Sequence, residues 1–314
     1  MRLDGERESD NVEDDRGGGG GGGMGFGGGG GGGFGGGLVP MLFGFVLSRF
    51  GCGGVVVLGL ILLVFGGLGN IGNLLGGSGS APTQQIGQPS EQAAPNAPAA
   101  ATTEDASKRF VRRVLATTED SWAKLLPAQA NTRYVNPRLV LFSGQIDSGC
   151  GGASAATGPF YCPADRKVYL DTSFFAELSN RFGAPGDFAN AYVIAHEIGH
   201  HVQKLLGISD RAEAAMSRAS RTQRNAISVR LELQADCLAG VWAKDNANLL
   251  DPGDVEQAVR AATAIGDDRL QQQAQGTVVP DSFTHGSSAQ RVHWLQQGIA
   301  DGTVAGCDTF NGSL

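Results

Sequence analysis

The sequence predicts an α+β fold, mainly helical with a small sheet, carried by the last two thirds of the chain and preceded by a disordered head and one transmembrane helix. Three observations point to it. Apolar residues recur at helical spacing in five stretches after residue 106. Two short apolar runs bounded by turn residues, Arg138 to Gln145 and Lys167 to Asp171, read as strands. An uncharged run of about 19 residues, Phe50 to Leu68, is long enough to cross the hydrocarbon core as a helix.

The first part of the chain divides by composition. Met1 to Arg16 is charged and rich in Asp and Glu, and Gly17 to Gly37 is nearly pure glycine. Neither holds enough apolar surface to order itself, so residues 1–37 are expected to be a disordered acidic and Gly-rich head. Residues 38–69 form the expected membrane anchor, with its span at about 50–68. A buried core helix is the alternative, but no amphipathic partner lies beside the run and both flanks are of low complexity. A cleaved signal peptide would start nearer the N-terminus with a basic region and a shorter apolar core. Arg2, Arg7, Arg16 and Arg49 precede the span, whereas no Lys or Arg follows it before Lys108. That bias predicts a single-pass protein with a cytoplasmic N-terminus and an extracytoplasmic C-terminal domain, periplasmic or at the cell surface. Residues 70–105, rich in Gly, Ser, Pro, Ala and Gln, read as a flexible linker.

Residues 106–314 form the expected folded domain. About 200 residues bury roughly 70% of their unfolded surface, so a metal would not be needed merely for folding. In Phe110 to Leu126 the residues Val111, Val114, Leu115, Trp122 and Leu125 fall at helical spacing, with Pro127 as the stop. A long helix is expected from about Asp187, read as its N-cap, to Leu206, with Gly207 ending it. Further helices are expected at about 221–244, 254–265 and 288–300. The net charge of -7 comes with no basic stripe, which excludes a dedicated nucleic-acid binder.

The chemistry centres on His196-Glu197-Ile198-Gly199-His200. Histidines four apart on a helix project from one face, and their imidazoles can converge on one tetrahedral ion. Glu197 then stands where its carboxylate can reach a metal-bound water and act as general base. His201 points about 100° away and is expected outside the ligand set, behind a ligand or at the surface. Gly199 costs about 1 kcal/mol relative to Ala in a helix interior, which suggests the close approach of another backbone, here read as a strand on the substrate side. Glu232 and Asp236 are again four apart on one helix face. Glu232 is the candidate third ligand and Asp236 the acceptor that orients a ligating histidine, although a solvated acidic pair would look the same in sequence. His285 lies just before a helix, either as a donor to the oxyanion of the reaction or as a surface residue capping that helix with Ser287 or Ser288. His293, on the helix itself, is expected to pack.

His196-Glu197-Ile198-Gly199-His200-His201-Val202-Gln203, Glu232-Leu233-Gln234-Ala235-Asp236-Cys237 and Cys307-Asp308-Thr309-Phe310 together resemble the neutral zinc metallopeptidase family of bacteria, from about residue 106 to the end plus the anchor. The resemblance implies a zincin-like domain, gluzincin-like in its ligands, with one Zn2+ held by His196, His200 and Glu232 and with Glu197 as base. It implies a metalloendopeptidase acting on protein or peptide substrates. A non-catalytic zinc-containing envelope module, or a hydrolase of other amides or esters, are the rival readings. Of the five cysteines, Cys52 falls in the span and four in the domain, an even number that suits an oxidising compartment. Four cysteines allow three pairings, and Cys150 with Cys162 and Cys237 with Cys307 are the pairs expected. The segment Gly151 to Thr157 is a candidate edge for pairing with a substrate backbone.

Overall fold

The computed structural model describes residues 1–17 and 100–311. In chain order the strands are β1 (Val12–Asp14), β2 (Arg138–Phe142), β3 (Gln145–Ser148), β4 (Gly151–Ser154), β5 (Phe160–Cys162) and β6 (Lys167–Asp171). The helices are α1 (Ala100–Ala130), α2 (Ser173–Asn180), α3 (Asp187–Leu205), α4 (Ile208–Met216), α5 (Arg221–Asp245), α6 (Asp254–Ala264), α7 (Asp267–Gln275) and α8 (Ser288–Asp301). The expected α+β class, mainly helical with a small sheet, therefore holds. Among the described residues no helix is long and apolar enough to cross a membrane. The expected anchor at 38–69, with its span at 50–68, lies outside the described residues, as does the linker but for residues 100–105, which begin α1.

Helix α1 runs through Pro127, where a stop was expected, and closes only at Ala130. A proline in the last turn forfeits one N–H donor, and the reversal comes instead at Asn131, whose φ is 48°. Asp187 is the first residue of α3 and not its cap; Gly186 holds the cap position. The unforeseen helices α2, α4 and α7 are short, and α7 (Asp267–Gln275) is so polar that only Asp267 in it is buried. Gly151 to Thr157 does contain a strand, but β4 pairs antiparallel with β3 in a hairpin apart from the main sheet.

The main sheet has the order β1-β2-β6-β5, with β1, β2 and β6 parallel and β5 antiparallel at one edge. Beside it, α3 is buried almost all round, with Phe188, Tyr192, Ile194, Ile198 and Val202 in the core. A helix buried on nearly every side has to lie at the centre of a domain, and α3 does so, between α1, α5 and α6.

Residues 1–17 depart from the expectation of a disordered head, whose residues 18–37 lie outside the described residues. Met1–Gly17 packs into this same domain: Leu3 and Ser9 are buried, and β1 pairs with β2 through Leu139 N–H to Asn11 O (2.9 Å) and Asp15 N–H to Leu141 O (2.8 Å). Leu3 joins the apolar core with Met1 and Val12 against it, and charge complementarity holds the rest of the head. Glu119 of α1, itself only 2% exposed, accepts from Ser9 Oγ (2.6 Å), Asn11 Nδ2 (2.7 Å) and Arg7 Nη2 (2.8 Å). Around it Arg112 pairs with Glu8 (2.7 Å), Lys108 with Asp14 (2.9 Å) and Lys167 with Glu13 (2.8 Å).

His201 is neither a surface residue nor a support for the ligands. It leaves α3 toward the sheet, donates from Nε2 to Val135 O (2.7 Å) and accepts at Nδ1 from the Tyr161 hydroxyl of β5 (3.1 Å). The Val135 carbonyl can only accept, so the proton of the neutral ring sits on Nε2 and leaves Nδ1 as the acceptor. Burial pushes its pKa down from the ordinary 6.5 to about 4. The unfolded chain therefore takes up a proton first, and this residue's contribution to stability is lost as the pH falls from about 6.5 to about 4. In urea unfolding of the metal-free protein, wild type should lose about 2–3 kcal/mol more across that window than His201→Gln, which has no ring to titrate. Parallel pH profiles for the two proteins would contradict the assignment.

Candidate metal centre

Two helices supply the centre, and their separation is set by a missing side chain. A Cβ at Gly199 of α3 would stand 2.9 Å from the Ala235 carbonyl oxygen and 3.0 Å from Ala235 Cα of α5. The close backbone is thus the Glu232 helix itself, not a strand on the substrate side. Beside that crossing, His196, three residues before Gly199, and His200, the residue after it, face Glu232 on α5. His196 Nε2 lies 3.2 Å from Glu232 Oε2, and His200 Nε2 lies 3.5 Å from Glu232 Oε1. A tetrahedral site with arms of about 2.1 Å has edges of about 3.4 Å. His196, His200 and Glu232 are also the cluster in which one donor atom from each residue lies within 4.8 Å of the others. Two imidazoles and a carboxylate with this spacing fit zinc.

Each imidazole is held from behind. His196 Nδ1 donates to Asp236 Oδ1 (2.8 Å), so its Nε2 faces the centre. Asp236 is fully buried and also accepts from the Tyr192 hydroxyl (2.5 Å) and from Arg291 Nε and Nη2 (2.9 Å each). His200 Nδ1 donates to Gln203 Oε1 (2.9 Å), while Gln203 Nε2 donates to Leu231 O (2.7 Å) and Gln234 Oε1 (3.1 Å). Asp236 thus stands on the far side of the His196 ring from Glu232. Arg291, Tyr192 and Gln203 are additions. Tyr192 stands four residues before His196 and Gln203 three after His200, so helical spacing alone could have singled them out. Arg291, on α8 and 55 residues beyond Asp236, carries no local signal.

The electrostatics favour protons on the imidazoles. Burial pushes His196 down, but the Asp236 carboxylate beside it, with Glu232, outweighs this and holds its pKa at about 10. Burial likewise opposes and Glu232 likewise raises His200. Burial would raise Glu232 itself, yet His200, His285 and His196 hold it well below the usual carboxylate range. A metal must displace the protons at His196 and His200, so affinity falls with pH. Glu197 is buried beside this group, 7% exposed, and its charge is felt at His200.

His285 does not cap α8; Ser287 does, accepting from Gln290 N. The loop is tied instead to α7: Asp267 accepts from the backbone N–H of Thr284 (2.6 Å) and His285 (2.7 Å) and lies 3.3 Å from His285 Nδ1. Partial burial lowers the His285 pKa, and Glu232 and Asp267 more than reverse that. The ring is about half exposed, within electrostatic reach of Glu232. His293 is exposed on α8, its ring edge-on to Trp294, and does not pack in the core. Both expected disulfides form: Cys150–Cys162 ties the β3–β4 turn to β5, and Cys237–Cys307 ties α5 to the last turn of the chain.

Two outcomes follow from this geometry. Gly199→Ala gains about 1 kcal/mol of helix propensity but must push α3 away from the Ala235 backbone, so the metal-free protein should lose a net 1–3 kcal/mol by urea unfolding and bind zinc more weakly. An unchanged unfolding midpoint would refute the crossing. Arg291→Lys keeps the charge and loses the two-pronged grip on Asp236, and zinc affinity should fall roughly 10–100-fold, with the far-UV circular dichroism preserved. An unaltered competitive chelator titration would remove Arg291 from the site.

Comparison with known proteins agrees with this geometry. The family described as "Putative neutral zinc metallopeptidase" matches residues 1–310, so the match starts in the head and not at residue 106. The uncharacterized protein YpfJ of Escherichia coli is 45% identical over 316 residues, covering 100% of both chains. The uncharacterized protein Rv2575 of Mycobacterium tuberculosis is 45% identical over 222 residues, 65% of this chain and 72% of its own. No solved structure matches. The chain belongs to the neutral zinc metallopeptidase family.

Proposed function

We propose that the chain is a zinc-dependent endopeptidase that hydrolyses peptide bonds of protein or peptide substrates, with His196, His200 and Glu232 as the metal ligands and Glu197 as the general base. The observation that carries this reading is the convergence of two imidazole Nε2 atoms on one carboxylate, with a buried second carboxylate, Glu197, next to the first ligand.

Zinc in such a site supplies an acidified water and a Lewis acid for the scissile carbonyl. Glu197 takes the proton from the attacking water and hands it to the leaving nitrogen. The Asp236–Arg291 pair keeps His196 turned so that Nε2 faces inward. His285, biased toward its protonated form by Glu232 and Asp267, donates to the oxygen on which negative charge develops. The two disulfides support an oxidising, extracytoplasmic place of action, with the apolar run at 50–68 holding the protein at a membrane.

Glu197→Gln should keep one zinc per chain by metal analysis and lower cleavage of casein or a peptide library by at least roughly 100-fold. His196→Ala and His200→Ala should lose both metal and activity. A Glu197→Gln protein that cleaves at the wild-type rate, or a wild-type protein without stoichiometric metal, would refute the proposal.

A further inference from the structure

The order of the head has a topological consequence. The sequence-based orientation separates residues 1–17 from the zinc domain by one membrane crossing. In the structure the same residues supply an edge strand of the domain's sheet and three donors to one buried carboxylate of α1, Glu119. A head across a bilayer would be separated from β2 by about 30 Å of hydrocarbon. A second copy in the same orientation would have its head on the wrong side as well. Glu119 would then lose all three of these donors.

The two stretches also match each other beyond that one residue. Acidic Glu8 and Asp14 of the head meet basic Arg112 and Lys108 on α1, and the Met1 ammonium lies 2.8 Å from Asp254 at the start of α6. These contacts spread over β2, α1 and α6, so the head is built into the domain and not laid on one patch of it. The family match likewise begins at residue 1.

We infer that residues 1–17 and the zinc domain lie on the same side of the membrane, so that no single crossing separates them. With the disulfides, this places the N-terminus in the extracytoplasmic compartment and not in the cytoplasm.

Thiol accessibility in cells tests this with the full chain. In a Cys52→Ser background the disulfides use the remaining cysteines. Asp10→Cys then reports on the head, where the Asp10 side chain is fully exposed, and Gln273→Cys on the domain, at an exposed position of α7. Whole cells are treated with a membrane-impermeant maleimide, and lysed cells give the total. The labelled fractions of the two positions should agree within about twofold, both being high in whole cells. A domain thiol labelled in whole cells beside a head thiol at least tenfold more reactive after lysis would overturn the inference. If both were labelled only after lysis, the shared side would stand and the extracytoplasmic place of action would fall. None of these outcomes depends on peptidase activity.

Discussion

The distance between α3 and α5 is the constraint on which the centre rests. Three ligand atoms can approach to within a coordination shell only if the two helices carrying them cross with nothing between their backbones. Gly199 against Ala235 provides that crossing. A second close crossing braces it from the other side of α5, where a Cβ at Gly298 of α8 would fall 1.9 Å from the Cys237 carbonyl oxygen. Helix α5 is therefore gripped between α3, which carries the histidines, and α8, which carries Arg291. Two glycines that weaken their own helices locally make the ligand geometry possible.

Burial of charge explains the rest of the centre. Asp236 is wholly enclosed, a position in which an ionised carboxylate survives only with hydrogen-bond donors around it. His196, Tyr192 and Arg291 Nη2 donate to Oδ1, and Arg291 Nε donates to Oδ2. The same reasoning applies at Glu119, where the donors come from the head. In both places a buried acid fixes a contact between segments far apart in sequence, and the fold depends on electrostatic closure as well as on its apolar core.

What the sequence showed and what it hid divide along physical lines. The periodic apolar stretches of α1, α3, α5, α6 and α8 were legible because a core-facing helix has to repeat its apolar residues. The cluster of His196, His200 and Glu232 was legible because a metal site demands fixed residue types at helical spacing. The head was not: its ordering depends on Ser9, Arg7 and Asn11 meeting Glu119, a set of polar residues that composition reads as solvated. Arg291 was hidden for the same reason, since its partner lies 55 residues away on another helix. Gly199 was flagged as a close approach, but only the packing of α5 could name Ala235 as the neighbour.

The sense of the Gln203 amide is forced by its neighbours, and with it the state of His200. The Leu231 carbonyl can only accept, so the amide nitrogen of Gln203 has to face it, which leaves the amide oxygen toward the imidazole. His200 must then carry its proton on Nδ1, and Nε2 is presented to the centre. Gln234, which accepts from Gln203, donates in turn to the Cys307 carbonyl (2.9 Å). Cys307 is fixed by its disulfide to Cys237, one residue from Asp236. The Cys237–Cys307 link therefore stands next to the supports of both histidines, through Asp236 on one side and through Gln234 and Gln203 on the other. Oxidation of these two cysteines and the orientation of the metal ligands are parts of one structure.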